Sequence, residues 1–498
     1  AKATKAEEPT PVVRPSLKIP IAEGDKPHRT SSRSLTISST KLATPSVMVS
    51  SLGKDYELQD TIGYGGFSVV KRCLHKPTGQ LRAVKIQVKS KLSPELMVEK
   101  HKLREVAVLR SLDHPNILRC FDLFEDETRY YIIMEFCEGG ELFQKILDLP
   151  NFSQGDAADV IFQILSAVSY CHERKVIHRD MKPENIFLIN KAGSFDLKVA
   201  DFGSSAFLRV NKKLTGVFGS AYYLAPEVLT HSYNELCDVW SIGIIMYILL
   251  TGKAPYPGKD ENEIYTQVKE RPFNINTTSL QGVSADAQDL LKKMLSIDPE
   301  YRISSAQALD HPWIAKNRDI SDPTSLADSL NALKSFHASN KLKDAVMTFL
   351  AMNATTQEDL KKLKEVFQTI DKNGDGRLSK AELLHQYTKM YGAREAIIYV
   401  DDILEKVDSD KSGFIDYTEF IKSCADQERL MSMRNLEFAF NTFDRDGSGT
   451  ITSQEIREIV GGGSEDDTLW QDVINQLDQN GDGVIELKEF KALMQRMS

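Results

Sequence analysis

Several things are scarce in this 498-residue chain, and each scarcity excludes a class of protein. Cysteine occurs six times, at Cys73, Cys120, Cys137, Cys171, Cys237 and Cys424, with no CxxC pair and no metal-ligand spacing. That excludes a disulfide scaffold and a zinc module, and predicts reduced thiols in an intracellular protein. Long apolar runs are absent too: Val239 to Leu250, the longest, contains a Ser and a Gly and falls short of the roughly 18 residues that span a bilayer. A soluble protein is therefore expected. Positive charge is not in excess, since 62 Lys and Arg face 71 Asp and Glu for a net charge of −9, which argues against nucleic acid as a partner. The length exceeds what one ordinary core organises, so two to four domains are expected.

Residues 1 to 50 are rich in Pro, Ser, Thr and Lys and almost free of aromatic residues. Such a segment cannot bury enough surface to offset chain entropy and is expected to be a disordered extension. Its first residue is Ala, so the sequence does not show whether an N-terminal acyl chain exists. Membrane attachment is left undetermined; the expected location is the cytoplasm, with association through an unseen N-terminal lipid as the alternative. From Tyr56 short alternating strands follow one another (Tyr56 to Ile62, Ser68 to His75, Leu81 to Val88), and then longer helical periods. After Trp313 and a polar break comes an amphipathic stretch. Leu326, Leu330 and Leu333 fall at i, i+4, i+7, and Leu342, Val346, Phe349 and Leu350 repeat the pattern. A stripe of this kind must bury itself on something, and one helix from Ser325 to Met352 is expected.

The C-terminal part repeats one twelve-residue pattern four times. Asp stands at position 1, Asp or Asn at 3, Asp or Ser at 5, Gly at 6 and Glu at 12. The ligand sets are Asp371, Asn373, Asp375 and Glu382; Asp408, Asp410, Ser412 and Glu419; Asp444, Asp446, Ser448 and Glu455; and Asp478, Asn480, Asp482 and Glu489. Position 7 donates a backbone carbonyl and is free to vary, as Arg377, Phe414, Thr450 and Val484 show. Calcium takes six to eight oxygens, and this EF-hand loop supplies them, ending on a bidentate Glu, with Gly at the sharp turn. Four matches at nearly equal spacing exclude a chance acidic turn. Up to four Ca2+ ions are expected. Position 8 is apolar throughout (Leu378, Ile415, Ile451, Ile485), which suits short strands pairing the loops two by two. A helix from Ile421 to Asn441 is expected to link the two pairs.

A second constellation lies upstream. IGYGGFSVV from Ile62 to Val70 is a Gly-rich turn between two expected strands, a weak signal alone. Its company is specific. Ala83-Val84-Lys85 ends a strand; Glu105 follows on a helical stretch from Glu99 to Leu109; His178-Arg179-Asp180 precedes Lys182 and Asn185; then come Asp201-Phe202-Gly203 and Ala225-Pro226-Glu227. These elements, in this order, resemble the eukaryotic protein kinase family over about residues 56 to 314. The resemblance implies that Gly63 and Gly65 cover the phosphates of ATP and that Lys85 binds them while pairing with Glu105. It implies that Asp180 takes the proton of the attacking hydroxyl, Lys182 steadies the γ-phosphate, and Asn185 and Asp201 hold Mg2+. The implied nucleotide-facing set is Ile62, Gly63, Tyr64, Gly65, Gly66, Phe67, Ser68, Val70, Ala83, Lys85, Met134, Glu135, Cys137 and Glu141. Ser68 replaces the third glycine of the family's turn. Glu227 and Asp238 take structural roles, the former against Arg302. Glu141 and Glu184 match positions that receive an arginine ahead of the phosphorylated Ser or Thr, so protein substrates with basic residues are expected.

The two halves in this order are similar to the calcium-dependent protein kinases of plants, apicomplexan parasites and ciliates. The implied fold is multidomain α+β: a two-lobed protein kinase fold followed by an all-α calmodulin-like domain with four EF-hands. The expected division is an extension over 1–50, a kinase domain over 51–314, an autoinhibitory junction over 315–356 and a calmodulin-like domain over 357–498. The implied function is a calcium-activated serine/threonine kinase whose junction helix inhibits until calcium-loaded EF-hands remove it. The alternative is a calcium-binding scaffold or buffer with an incidental kinase fold. Finally, no Asp or Glu lies between Ser204 and Gly219. Arg179 is therefore expected to be loosely held until Thr215 is phosphorylated.

Overall fold

In a computed structural model the described residues are 52–65, 68–92, 97–99, 102–148, 152–191, 195–209, 212–274, 278–317, 323–336, 341–460, 474, 478 and 480–495. The extension over 1–50, and Gly66 and Phe67 of the Gly-rich turn, lie outside them. Five antiparallel strands form the first lobe: Tyr56–Tyr64, Ser68–His75, Gln80–Val88, Cys120–Glu125 and Arg129–Glu135. Gln80–Val88 is central, hydrogen-bonded to Ser68–His75 on one side and Arg129–Glu135 on the other. Strand alternation divides its residues between the two faces. Val84 goes into a core with Tyr56, Cys73, Phe124 and Ile133, and Lys85, opposite Val70 and Ile132 in register, goes to the other face.

The second lobe is helical and built around Gln154–Glu173 and Leu236–Thr251. The longest apolar run of the sequence is this second helix, buried nearly all round and ended by Gly252 in the left-handed conformation at φ 66°. A helix apolar on every side belongs inside a core.

The junction departs from expectation. It is two helices, Leu326–Ser335 and Lys341–Ala354, with Phe336 in extended backbone after the first. The sequence contains the reason. Nine residues separate Leu333 from Leu342, about two and a half helical turns, so one straight helix would carry the two apolar stripes on opposite faces. Breaking the helix lets both face one partner. That partner is the EF-hand part: Leu330, Leu333, Leu342, Val346 and Leu350 share a core with Phe367, Phe420, Ile421, Leu436 and Phe440.

The EF-hands follow as Gln357–Ile370 with Lys380–Tyr391, Ala393–Val407 with Tyr417–Cys424, and Met433–Phe443 with Ser453–Val460. Leu487–Gln495 leaves the fourth loop. Loops pair as the apolar eighth positions require, Leu378 opposite Ile415 and Ile451 opposite Ile485. The expected helix from Ile421 to Asn441 is broken into Tyr417–Cys424, Gln427–Leu430 and Met433–Phe443. Ala425 is extended, and the Asp426 side chain caps the short middle helix by accepting from the Arg429 amide, the local competition by which Asp disfavours helix interiors.

Candidate active site and metal centres

Lys85 Nζ donates to both oxygens of Glu105, at 2.7 and 2.9 Å, and to Asp201 Oδ1 at 3.1 Å. Burial opposes the Lys85 charge, but the two carboxylates overcome it and hold the ammonium above its usual range. Asp201, with φ 60°, aims its carboxylate at Lys85, which pulls its pKa down. Glu105 sits at the start of Arg104–Leu109, a shorter helix than expected, because Met97–Glu99 and Lys102–Leu103 pair as strands before it. Gln87 Nε2 adds a bond to Glu105 at 3.3 Å. Sequence reasoning missed this residue, although two positions after Lys85 on a strand means the same face.

The second cluster forms around Asp180. Lys182 Nζ donates to Asp180 Oδ2 at 2.9 Å, and Asn185 Nδ2 donates to Asp180 O at 2.8 Å and Oδ2 at 3.1 Å. Ser220, another residue missed from sequence, donates to Asp180 Oδ1 at 3.2 Å and accepts from Lys182 Nζ at 2.9 Å. With its NH2 engaged, Asn185 has its carbonyl oxygen left as a donor atom for a cation, and its backbone oxygen accepts from the amide of Ala200, the residue before Asp201, at 2.9 Å. The Asn185 side-chain oxygen and the Asp201 carboxylate are hard oxygen donors of the kind that fit Mg2+. Beneath the cluster, Asp238 accepts from His172 Nε2 and from the amides of His178 and Arg179, at 2.8 to 2.9 Å. Burial works against that carboxylate, yet these donors hold it below the usual range. Glu227 forms a buried bidentate pair with Arg302 at 2.5 and 3.0 Å.

In the Gly-rich turn, Gly65 N donates to Ser68 O at 2.8 Å, and a Cβ on Gly65 would meet Ser68 Oγ at 2.6 Å. A side chain at position 65 would require the Ser68 hydroxyl to rotate away. Tyr64 and Ile62 are exposed. Ala83 and Met134 are buried register partners, Val70 pairs with Lys85, and Cys137 is half-buried. Glu135 departs from a nucleotide-facing role for its side chain: the carboxylate is buried against Lys198 Nζ at 3.0 Å. Glu141 and Glu184 come close enough that burial and then the Glu184 charge raise the pKa of Glu141. Glu184 Oε2 is buried without a hydrogen-bond partner.

In the calcium loops the sixth-position glycines Gly376, Gly413, Gly449 and Gly483 all take positive φ, 79 to 85°. Asp408, Asp410 and Glu419 bring carboxylate oxygens within 4.8 Å of one another, as do Asp444, Asp446 and Glu455. Loops one and four have Asn at position 3, where Asn373 Nδ2 reaches Asp375 Oδ2 at 2.8 Å and Asn480 Nδ2 reaches Asp482 Oδ2 at 2.9 Å. Ser412 and Ser448 point their amides at the first Asp of their loops, at 3.0 and 2.9 Å. Crowded carboxylates with a positive-φ turn fit calcium.

The calcium part also touches the kinase part. Thr418 donates to the Asp113 carboxylate from N and from Oγ1, both at 2.8 Å. Arg377 reaches Glu173 at 2.5 Å, Lys364 reaches Gln163 at 3.0 Å, and Arg434 donates to Pro77 O at 2.6 Å; from the junction, Met352 O accepts from Arg119 at 3.3 Å. Among the described residues, the hydrogen bonds of Lys85, Asp180, Lys182, Asn185 and Asp201 all stay within the kinase part. Arg179 is not loosely held, contrary to expectation. It donates to Ser204 O at 2.5 Å and Ser205 O at 3.3 Å, approaches Tyr233 Oη at 3.4 Å and lies on the Phe218 ring.

Fold and site together define a protein kinase that carries EF-hand calcium loops on the same chain. The protein kinase domain model matches residues 56–314, and the EF-hand domain pair model matches 360–425 and 433–495. The chain is 37 % identical over 452 residues to calcium-dependent protein kinase 4 of Plasmodium berghei, covering 87 % of this chain and 85 % of that protein. It is also 37 % identical over 441 residues to calcium-dependent protein kinase 33 of Arabidopsis thaliana, covering 88 % and 84 %. The chain belongs to the calcium-dependent protein kinase family. It is a serine/threonine protein kinase that uses ATP, Mg2+ and Ca2+.

Proposed function

We propose that this chain transfers the γ-phosphate of ATP to Ser or Thr of basic protein segments, and that its junction inhibits until calcium loads the EF-hands. The observation that carries the enzymatic reading is the pair of assembled clusters, Lys85 with Glu105 and Asp201, and Asp180 with Lys182 and Asn185, tied together where the Ala200 amide donates to Asn185 O at 2.9 Å. A scaffold with an incidental kinase fold has no need of it. In the mechanism, Asp180 orients the attacking hydroxyl and takes its proton, held in place by Lys182, Asn185 and Ser220. Lys85 binds phosphate oxygens while Glu105 fixes its position, and the turn around Gly63 and Gly65 covers them. Magnesium supplies charge neutralisation when bound, and its donors are Asn185 and Asp201. Because phosphoryl transfer passes through a loose transition state, positioning and charge carry most of the acceleration.

Two acids support a basic substrate. Glu141 and Glu184 crowd one another, and an arginine between them would relieve the repulsion and satisfy Glu184 Oε2. The junction reading rests on its apolar stripe: with the stripe buried in the EF-hand part, the phosphotransfer cleft is free of it, and a stripe released by the sensor must cover itself elsewhere. We divide the chain accordingly at about residues 51, 315 and 357. We infer a cytoplasmic location from the six free cysteines, with an N-terminal lipid as a route to membrane association. The test is phosphotransfer to paired peptides, one with arginine three residues before the acceptor and one with alanine, with calcium and with chelator. Expected is activity only with calcium, and a preference for arginine that Glu184→Gln weakens. Equal activity with chelator would remove the switch, and indifference to the arginine would remove the substrate reading.

A further inference from the structure

Arg179 stands next to Asp180, in a segment whose partner stretch, Ser204 to Gly219, carries no acid. Its guanidinium lies over the Phe218 ring, 4.0 Å from the ring centroid, and the residue is only 9 % exposed. A buried cation on an aromatic face is stabilised by the ring quadrupole. Space for that ring depends on Gly216. This residue has φ 90°, and a Cβ there would approach Phe218 Cε2 to 2.9 Å. The segment is also anchored at Leu214, whose amide donates to Tyr233 O at 2.8 Å. Thr215 between these features is exposed.

From this geometry we propose that Phe218 is a positioning residue for phosphotransfer, holding Arg179 and, through the next two residues, the Asp180 carboxylate. The inference rests on the kinase reading above. The two residues after Phe218 make the connection. Gly219, with φ 113°, passes so close to Arg179 that a Cβ would lie 2.7 Å from Arg179 O. Ser220 then donates to Asp180 Oδ1 and accepts from Lys182. Phe, Gly and Ser in sequence therefore join the cation to the base. The ring fills the position that a phosphate or acid on this segment would otherwise occupy against Arg179. Thr215 consequently needs no phosphate for turnover.

The test uses the full chain at saturating calcium with Mg2+, ATP and an arginine-containing peptide. Phe218→Leu keeps apolar volume and removes the π face, while Phe218→Tyr keeps the face. A desolvated cation on a ring is worth about 1 to 2 kcal/mol, so kcat of Phe218→Leu should fall about five- to thirtyfold. The KM for ATP should hold within about twofold, because Lys85, Glu105 and Asp201 are untouched, and Phe218→Tyr should recover most of the loss. Thr215→Ala, an exposed change that leaves the core intact, should turn over like the parent. Wild-type kcat in Phe218→Leu, equal losses in the Leu and Tyr variants, or a Thr215→Ala loss that tracks a missing phosphate would each overturn the inference. Failure of the parent chain to phosphorylate the peptide would overturn the kinase reading instead, so the two failures are distinguishable.

Discussion

Replacing Asp113 by Asn asks whether the kinase part and the calcium loops are thermodynamically linked. The Asp113 carboxylate accepts two 2.8 Å bonds from Thr418 in the first turn of Tyr417–Cys424, immediately before the loop-two ligand Glu419. A kinase residue thereby caps an EF-hand helix. Losing a cap costs about 0.5 to 2 kcal/mol, and a buried bond to a charged acceptor contributes about 1.5 to 3 kcal/mol. Two terms reduce the net loss. Asn keeps one acceptor oxygen, and removing the charge relieves Asp416, whose carboxyl is pushed up to about 7 by burial and then by Asp113. A net loss of about 1.4 kcal/mol lowers the docking equilibrium roughly tenfold. If docking is linked to calcium binding, the shift is shared among the linked ions: about 1.8-fold in calcium midpoint for four ions and about threefold for two. Maximal velocity should be unchanged, since saturating calcium still populates the docked state. Peptide phosphorylation across buffered free calcium measures both quantities. An unchanged midpoint, or a lower maximum at an unchanged midpoint, would refute the linkage.

Gly374→Lys places in loop one the residue that loop two carries at the same position, Lys411 at φ 56°. Its Cβ would meet Phe162 at 2.8 Å, so docking should weaken by about 1 to 3 kcal/mol; calorimetry should still find calcium binding to the loop while the activation midpoint rises. Glu455→Gln with Glu489→Gln removes the last ligand of loops three and four, and turnover at saturating calcium should fall to a small fraction of the parent's; full activation would separate these loops from the switch. Asp238→Asn leaves buried donors without a full acceptor and should cost about 2 to 4 kcal/mol of stability, read as a lower Tm at pH 7. Because Asp238 is held below its usual range, its contribution is present above about pH 4 and is lost as pH falls through its folded value, so the gap between variant and parent should narrow in acid.

The site was legible wherever chemistry demands one residue type at one spacing. Lys85 meets Asp201 through strand register and one left-handed residue, and Asp180 meets Asn185 within one loop, at spacings the chain already showed. Calcium loops were legible for the same reason, since ligand geometry fixes the Asp, Gly and Glu positions. What escaped was set by partners distant in sequence. Ser220 and Gln87 are ordinary polar residues until the fold brings them to Asp180 and Glu105. The break in the junction was visible in the nine-residue gap between Leu333 and Leu342, but only once both stripes are required to face one core. Arg179 was misread because charge balance was sought in acids. The compensating groups are two carbonyls, a hydroxyl and a phenyl ring, none of which a net-charge argument counts.

The same distinction separates two glycines of loop one. Gly376 is required by the loop itself: all four loops have glycine there with φ near 80°, whatever else they touch. Gly374 is not, because Lys411 holds the equivalent position of loop two at φ 56° without disturbing its carboxylate cluster. In loops three and four the equivalent glycines, Gly447 and Gly481, have open space where a Cβ would go. Among the described residues, only in loop one does that space contain kinase side chains: Phe162 beside Gly374, and His114 beside Gly376. His114 is buried and held neutral, its pKa lowered by burial and by neighbouring cations, so it packs against the loop as an uncharged ring and adds no charge near the calcium ligands. Loop one is therefore both ligand cage and docking surface, and its glycine at position 4 answers to the docking surface. Asp113, one residue before His114 and four after the end of the helix that carries Glu105, brings the second loop to the same segment. Calcium ligands of two loops and the anchor of Lys85 thus lie within a short stretch of directly packed chain, and coupling between them requires no long pathway through the fold.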